Sequence, residues 1–333
     1  MGRIADDVDA LAERTGFSGV VHVETEGRVE LAKAFGMADR AHGIANTVET
    51  QFAIASGSKA LTALAVVALV DAGVLDLATT ARSVLGADLP LIAGDVTVEH
   101  LLSHRSGIGD YLDEESGAPI TDYAMPVPVH TLGETEGFLA VLDGFPTAFP
   151  AGERFAYCNG GYMVLALIAE RASGTPFHDL VQARVLDPAG MADTAYLRSD
   201  ELPGRAAVGY LEEDSPRTNV HHLPVRGNGD GGAYSTAADI AVLWRAFLAG
   251  RIVPPGWVAE MLRPRGDVPP GERRYGLGFW FHPSSELVVL NGYDAGVSFQ
   301  SSHDPGDGTT RTVIANSSEG AWAMAELLHG EAR

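Results

Sequence analysis

Strand-type patterning at both ends of the chain, with helix-favouring and loop-rich sequence between, is the feature that most constrains the fold. Ser18–Glu24 and Val29–Phe35 carry β-type patterning, and Glu26-Gly27 between them supplies a hairpin turn. Near the C-terminus, Tyr275–His282, Glu286–Asn291, Val297–His303 and Thr309–Ala315 read as strands, separated by turn chemistry such as Pro283-Ser-Ser and Pro305-Gly-Asp-Gly308. A short amphipathic stretch, Ile4–Ala12, precedes the first strand, and a helix over Glu319–Glu331 follows the last. The economical solution is an α/β (α+β) fold: one antiparallel sheet built from both chain ends, flanked by the terminal helices, with a mainly helical lobe inserted. The expected division is 1–55 with 240–333 for the sheet part and 56–239 for the helical part, with the active site between them.

Helix signals punctuate the middle. From Ser56 to Ala72 the residues favour helix, with Gly73 as a C-terminal stop. That segment is apolar nearly all round, so it belongs in a core rather than on a surface. Thr97 can cap a helix over Val98–His104, Asn159–Ala172 is closed by Gly174, and Ser235-Thr236 can cap Ala237–Ala249 ahead of Gly250. Two long loops rich in Pro, Gly and acids, 112–132 and 211–232, are of the kind that lines a site or covers it.

Composition removes several functional classes. The 333 residues carry 44 acidic and 23 basic side chains, a formal net charge of −21, which repels a phosphate backbone and excludes nucleic acid as the expected partner. A single cysteine, Cys158, excludes an internal disulfide and any Cys-based metal cluster. The longest apolar runs, Ala63–Val70 and Tyr162–Ala169, fall well short of the ~20 residues that span a bilayer, so no membrane partner is expected. The acidic start, with Asp6 and Asp7, lacks the apolar core of a signal peptide, which points to a cytoplasmic protein.

Ser56-Gly-Ser-Lys59 is the sharpest chemical signal. A serine at the start of a helix sits where backbone N–H groups have no helical partner and the helix dipole favours a developing oxyanion. A lysine three residues on shares its face, and among Ala, Leu and Val its ammonium would be desolvated and suited to general-base work. Lys59 is also one of only two lysines in the chain. The second signal is Tyr157-Cys-Asn159 before an apolar helix: a phenol at a helix entrance can shuttle a proton, and an amide can hold a carbonyl or the lysine. Taken singly, each has an ordinary alternative, a capping serine with a surface lysine or a half-buried tyrosine with a capping asparagine.

Other candidates fail. No G-x-S-x-G elbow occurs, and Gly57-Ser-Lys59 lacks the earlier glycine of a phosphate loop. His100 and His104 stand at a metal-compatible spacing, yet no Glu follows His100, so no metal is expected. His221-His222 reads as solvent-facing or cleft lining, and Cys158 as a small buried apolar residue with no cysteine-enzyme signature around it.

The pair in this order, S-x-x-K and then Y-x-N about a hundred residues later, resembles the serine β-lactamase and penicillin-binding-protein superfamily, in its branch of class C-like β-lactamases, esterases and D-stereospecific peptidases. Thr97-Val-Glu-His-Leu-Leu-Ser-His-Arg-Ser-Gly107, Phe155–Tyr162 and Gly231–Asp239 look like the same branch, and the likeness runs from about Phe17 to Ala315. It implies a β-lactamase/transpeptidase-like fold without a cofactor. It also implies that Ser56 is the acylated nucleophile, Lys59 its base partner and Tyr157 the proton shuttle, with Asn159 supporting the lysine and substrate. The third motif departs. Where the family carries Lys- or His-x-Gly beside the nucleophile, this chain has Gly292-Tyr-Asp-Ala-Gly-Val297. Either Tyr293 takes the cationic place, with Ala295 for the glycine, or Asp294 does, with Gly296 keeping it; the second oxyanion donor would lie near Gly296 or Val297. Both registers lack the cation that binds a carboxylate. The expectation is therefore a serine hydrolase acting on a small ester or amide. A β-lactamase or D-alanyl-D-alanine-type peptidase that borrows Arg105, Arg226 or Arg311, and a catalytically weakened ligand-binding relative, are the alternatives.

Overall fold

Val20 and Val21 point to opposite faces of a sheet, and the two faces serve different cores. Val21 packs with Val8 and Leu11 of α1 (Gly2–Thr15) and with Ala321 and Met324 of α6 (Gly320–His329), whereas Val20 joins the larger core with Ile314, Phe299 and Leu290. The computed structural model describes residues 2–112, 119–266 and 274–329. Seven strands form that sheet: β1 (Gly19–Thr25), β2 (Arg28–Phe35), β3 (Arg274–Tyr275), β4 (Trp280–Phe281), β5 (Val288–Asp294), β6 (Val297–Asp304) and β7 (Thr309–Ala315), in the order β2-β1-β7-β6-β5-β4-β3. N-terminal β1 pairs antiparallel with C-terminal β7, Gly19 opposite Ala315, so both chain ends build one sheet. Glu26 and Gly27, both at positive φ, make the tight turn between β1 and β2.

The large core lies on the sheet face that looks toward α2 (Lys59–Asp71), α4 (Asn159–Ser173) and α5 (Ala237–Leu248). Every residue of α2 from Lys59 to Val67 is buried, as its all-round apolar sequence requires. The caps follow the sequence: Thr97 accepts the His100 N–H ahead of α3 (Val98–Leu102), Thr236 accepts the Asp239 N–H ahead of α5, and Gly174 closes α4 in the left-handed region. No helix of the described residues is long and apolar enough to cross a membrane.

Three sequence expectations need correction. Tyr275–His282 is not one strand but the hairpin β3–β4, because Gly276 donates its N–H to Phe279 O and Gly278 takes φ +94°. The helix after Thr97 stops at Leu102 rather than His104, since His104 itself adopts φ +55°. The strand expected over Glu286–Asn291 is β5, shifted toward the C-terminus by two to three residues. Of the loop 112–132, residues 113–118 lie outside the described residues, as do Gly330 and Glu331 of the closing helix.

Candidate active site

A strained turn presents Ser56. The two-residue pair Phe52–Ala53 with Tyr234–Ser235 delivers the chain to it, and the Ile54 N–H donates to Ala233 O at 2.9 Å. Ala55 then adopts φ +44°, unfavourable for a residue with a Cβ and held here by its surroundings. Ser58 Oγ donates to Ala55 O at 2.8 Å and accepts from Ala233 N–H at 3.0 Å. Ser56 therefore lies in a 3-10 turn, Ala55–Ser58, just ahead of α2 rather than in its first turn. Two glycines let the sheet approach: a Cβ on Gly57 would fall on the ring of Phe299 in β6, and one on Gly292 in β5 on the carbonyl oxygen of Ile54.

Lys59 opens α2, and its side chain is buried beneath the turn, 2% exposed. The three protons of its ammonium each find an oxygen: Ser56 Oγ at 2.9 Å, Asn159 Oδ1 at 2.8 Å and Asp230 O at 2.6 Å. The same Nζ lies 5.0 Å from the centre of the Tyr157 ring. The structure thus brings Ser56, Lys59, Tyr157 and Asn159 together.

Tyr157 and Asn159 are fixed by a residue that sequence reasoning had set aside. His104 O accepts the Ala156 N–H at 2.9 Å, and His104 Nδ1 accepts the Cys158 N–H at 3.1 Å. Its ring lies 4.3 Å from that of Tyr157, which stacks at 5.8 Å on Trp280 of β4 on its own account. Burial, with the Lys59 charge nearby, holds the His104 imidazole well below its ordinary range, so it is neutral. Asp110 accepts the N–H groups of Asn159 at 2.6 Å and Gly160 at 2.9 Å, and Cys158 Sγ accepts that of Gly161 at 3.3 Å. These bonds satisfy the start of α4 without the Asn159 side chain, which is turned to Lys59 instead.

A cleft of about 730 Å³, counting space open to solvent, runs over Ser56 and Asn159. Much of its wall comes from the second long loop, including Asn219, Pro224, Asn228 and Asp230–Gly232, with Tyr111 and Leu112 from the approach to the first. Asp230 faces this space with its carboxylate bonded to the Tyr111 hydroxyl. Burial raises the pKa of Asp230 and of Asp110, in both cases against the charge of Lys59. Neither aspartate nor Tyr111 stands in a motif; a chain position carries no sign that it will meet Lys59 across a cleft.

Gly292 is the β5 residue that abuts the Ser56 turn, where a Cβ would fall on the Ile54 carbonyl oxygen, and Leu290, two residues before it, is buried. Gly296 is in the β5–β6 hairpin turn at φ +72°, and its N–H donates to Ser318 Oγ at 2.8 Å, so it is not the expected oxyanion donor. Val297 lies beyond that turn, opposite Asp294 in the β5–β6 ladder. Tyr293 and Asp294 do line the cleft, though the Tyr293 hydroxyl also donates to Glu319 at 3.1 Å. None of the arginines considered as substitute cations lines the cleft. Arg105 donates to Gly152 O and Arg226 to Tyr196 O, while Arg311 lies in β7 opposite Val23. His100 closes a capping box with Thr97, His221 and His222 lie against residues 121–129, and Cys158 is buried. Among the described residues no group of three or more His, Cys, Asp or Glu is placed to hold a metal.

Sheet order, the Ser56–Lys59–Asn159 contact and the cleft together define a β-lactamase-like hydrolase architecture. The chain belongs to the Beta-lactamase family, whose description matches residues 4–332, and is a serine hydrolase of that family. It is similar in structure to a penicillin-binding protein from Bacillus halodurans, with a TM-score of 0.90 and 35% identity covering 97% of this chain and 99% of that one. In sequence it is 28% identical over 291 residues to the putative penicillin-binding protein PbpX of Bacillus subtilis, covering 86% of this chain and 68% of that protein. It is 29% identical over 305 residues to esterase EstB of Burkholderia gladioli, covering 82% and 76%.

Proposed function

We propose that this protein hydrolyses a small ester or amide, carrying no essential carboxylate, through an acyl-enzyme on Ser56. The observation that carries the reading is the buried Lys59 ammonium bonded to Ser56 Oγ at 2.9 Å on the floor of an open cleft. In this reading Ser56 Oγ attacks the carbonyl carbon while Tyr157, as the phenolate beside the Lys59 ammonium, takes its proton and hands it to the leaving group. The C–O or C–N bond breaks and the acyl-serine forms. Water, giving its proton to the same phenolate, then releases the acid and restores Ser56. The oxyanion is held by the Ser56 N–H and by the N–H that follows Gly292, where β5 meets the turn. Asn159 supports the lysine. The sheet part, 1–55 with 240–333, and the helical part, 56–239, meet at this cleft in the same reading. The likeness to esterase EstB supports ester chemistry.

A β-lactam or a peptide terminus would bring a carboxylate to a cleft whose charged lining residues, among the described residues, are Asp230 and Asp294, which disfavours that alternative. A purely ligand-binding relative is disfavoured by the intact contacts of Lys59 with Ser56 and Asn159. The test compares purified enzyme on p-nitrophenyl acetate and butyrate with its action on nitrocefin. Turnover of the esters with little of nitrocefin supports the reading; nitrocefin turnover without ester hydrolysis contradicts it.

A further inference from the structure

We infer that the cleft selects by charge: it takes acyl donors bearing an ammonium group a few bonds from the reacting carbonyl and turns away those bearing a carboxylate. This inference rests on the hydrolase reading above and names its substrate class. Among the described residues, the only charged side chains lining the cleft are two carboxylates, Asp230 on the loop wall and Asp294 at the end of β5, with Ser56 in the same lining. No Lys, Arg or His of the described residues is in that lining. The one cation beneath it, Lys59, spends its three protons on Ser56, Asn159 and the Asp230 carbonyl, so its charge is directed at the reacting oxygen rather than at the far end of a substrate. Leu290 of β5, two residues before Gly292, is buried and apolar.

The two carboxylates share their surroundings with a third, Asp110. The Tyr111 hydroxyl donates to Asp230 and so fixes that carboxylate in the wall, and Asp110 accepts the Gly160 N–H at the start of α4. Two separate phenols feel the same three charges: Tyr123 is pushed up to about 12 by burial and by Asp110, Asp230 and Asp294, and Tyr111 is raised by burial and the same aspartates. Burial raises the Asp230 pKa, while the Lys59 charge and the Tyr111 hydroxyl favour its charged form, and a substrate ammonium would act in the same sense. At long range the net charge of −21 draws cations toward the chain in general.

The test uses three p-nitrophenyl esters of matched shape, 3-aminopropanoyl, butanoyl and succinyl, which end in ammonium, methyl and carboxylate. Active sites are counted with a fluorophosphonate. The expected kcat/KM order is ammonium above methyl above carboxylate, with about tenfold or more between the extremes, shrinking in high salt. In the Asp230→Asn/Asp294→Asn double variant the ratio of ammonium to methyl ester falls toward one; the ratio is insensitive to how much of the variant folds. Equal rates, or preference for the succinyl ester, overturn the inference and leave the hydrolase reading standing. If no ester turns over and no fluorophosphonate adduct forms, the hydrolase reading fails. Thermal stabilisation by butylammonium against butanoate then decides charge selection: a shift with the amine alone supports it, and any other pattern overturns it.

Discussion

Lys59 Nζ donates to Asn159 Oδ1 at 2.8 Å although a hundred residues of chain separate them, and this bond ties the start of α2 to the start of α4 beneath the cleft. It makes the lysine both a reacting group and a structural pin. Lys59→Met keeps most of the apolar stem and removes the ammonium, leaving Asn159 Oδ1 and Asp230 O without their donor. Ester kcat is expected to fall by about 10²–10⁴-fold, the range for a lost acid–base group, with the circular-dichroism spectrum retained. Steady-state kinetics with active-site counting checks it; a loss below threefold contradicts the role.

The approach of the sheet to the Ser56 turn is a steric matter and has a steric test. Gly57→Ala puts a methyl onto the Phe299 ring, so activity and melting temperature both drop. Adding Phe299→Leu removes the obstacle, and the double variant recovers a large part of both. Gly292→Ala meets the Ile54 carbonyl, which is backbone, and no side-chain truncation relieves it. Thermal melts and ester assays of the four proteins separate the two cases.

His104 is a positioning residue. His104→Ala removes the acceptor of the Cys158 N–H and the ring beside Tyr157. Kcat is expected to fall about ten- to hundredfold while KM changes little, since misplacing a proton-carrying group costs the chemical step more than binding. Equal losses in kcat and stability across a dose of stabilising glycerol would mark it as merely structural.

Stability should fall on acidification through specific histidines. Burial lowers His178 from its usual value to about 4, and its Nε2 is 2.8 Å from Gly227 O. The folded pKa lies below the unfolded one, so the unfolded chain binds more protons between about pH 6.5 and 4 and stability is lost as pH drops through that window. The raised pKa values of Asp230 and Asp239 act in the opposite sense, as they favour the folded state at low pH. Comparison with His178→Gln isolates the histidine: the stability of wild type falls relative to the variant below pH 6.5, by up to about 3 kcal/mol. Urea melts from pH 7 to 4 measure it, and parallel curves would contradict it.

Local signals were legible in the sequence wherever neighbours in the chain decide the outcome. Thr309–Ala315 is a strand with the bounds its pattern implies, and Thr97, Thr236 and Gly174 cap helices where their chemistry places them. Ser56, Lys59, Tyr157 and Asn159 could be paired because each motif is short and the resemblance supplied their order. What escaped depends on contacts between distant segments. The approach of Gly292 to the Ile54 carbonyl joins distant segments, and Asp110, His104 and Asp230 matter only because α4 and the 211–232 loop close on Lys59. Two glycines in Tyr275–His282 outweighed its strand composition.

The central claim, that Ser56 is the residue acylated, is tested most directly by intact-protein mass after exposure to a fluorophosphonate. Wild type is expected to gain one adduct, mapped to the peptide bearing Ser56, and Ser56→Ala to gain none. An adduct of equal yield on Ser56→Ala, or an unmodified wild type that still hydrolyses esters, would contradict the account.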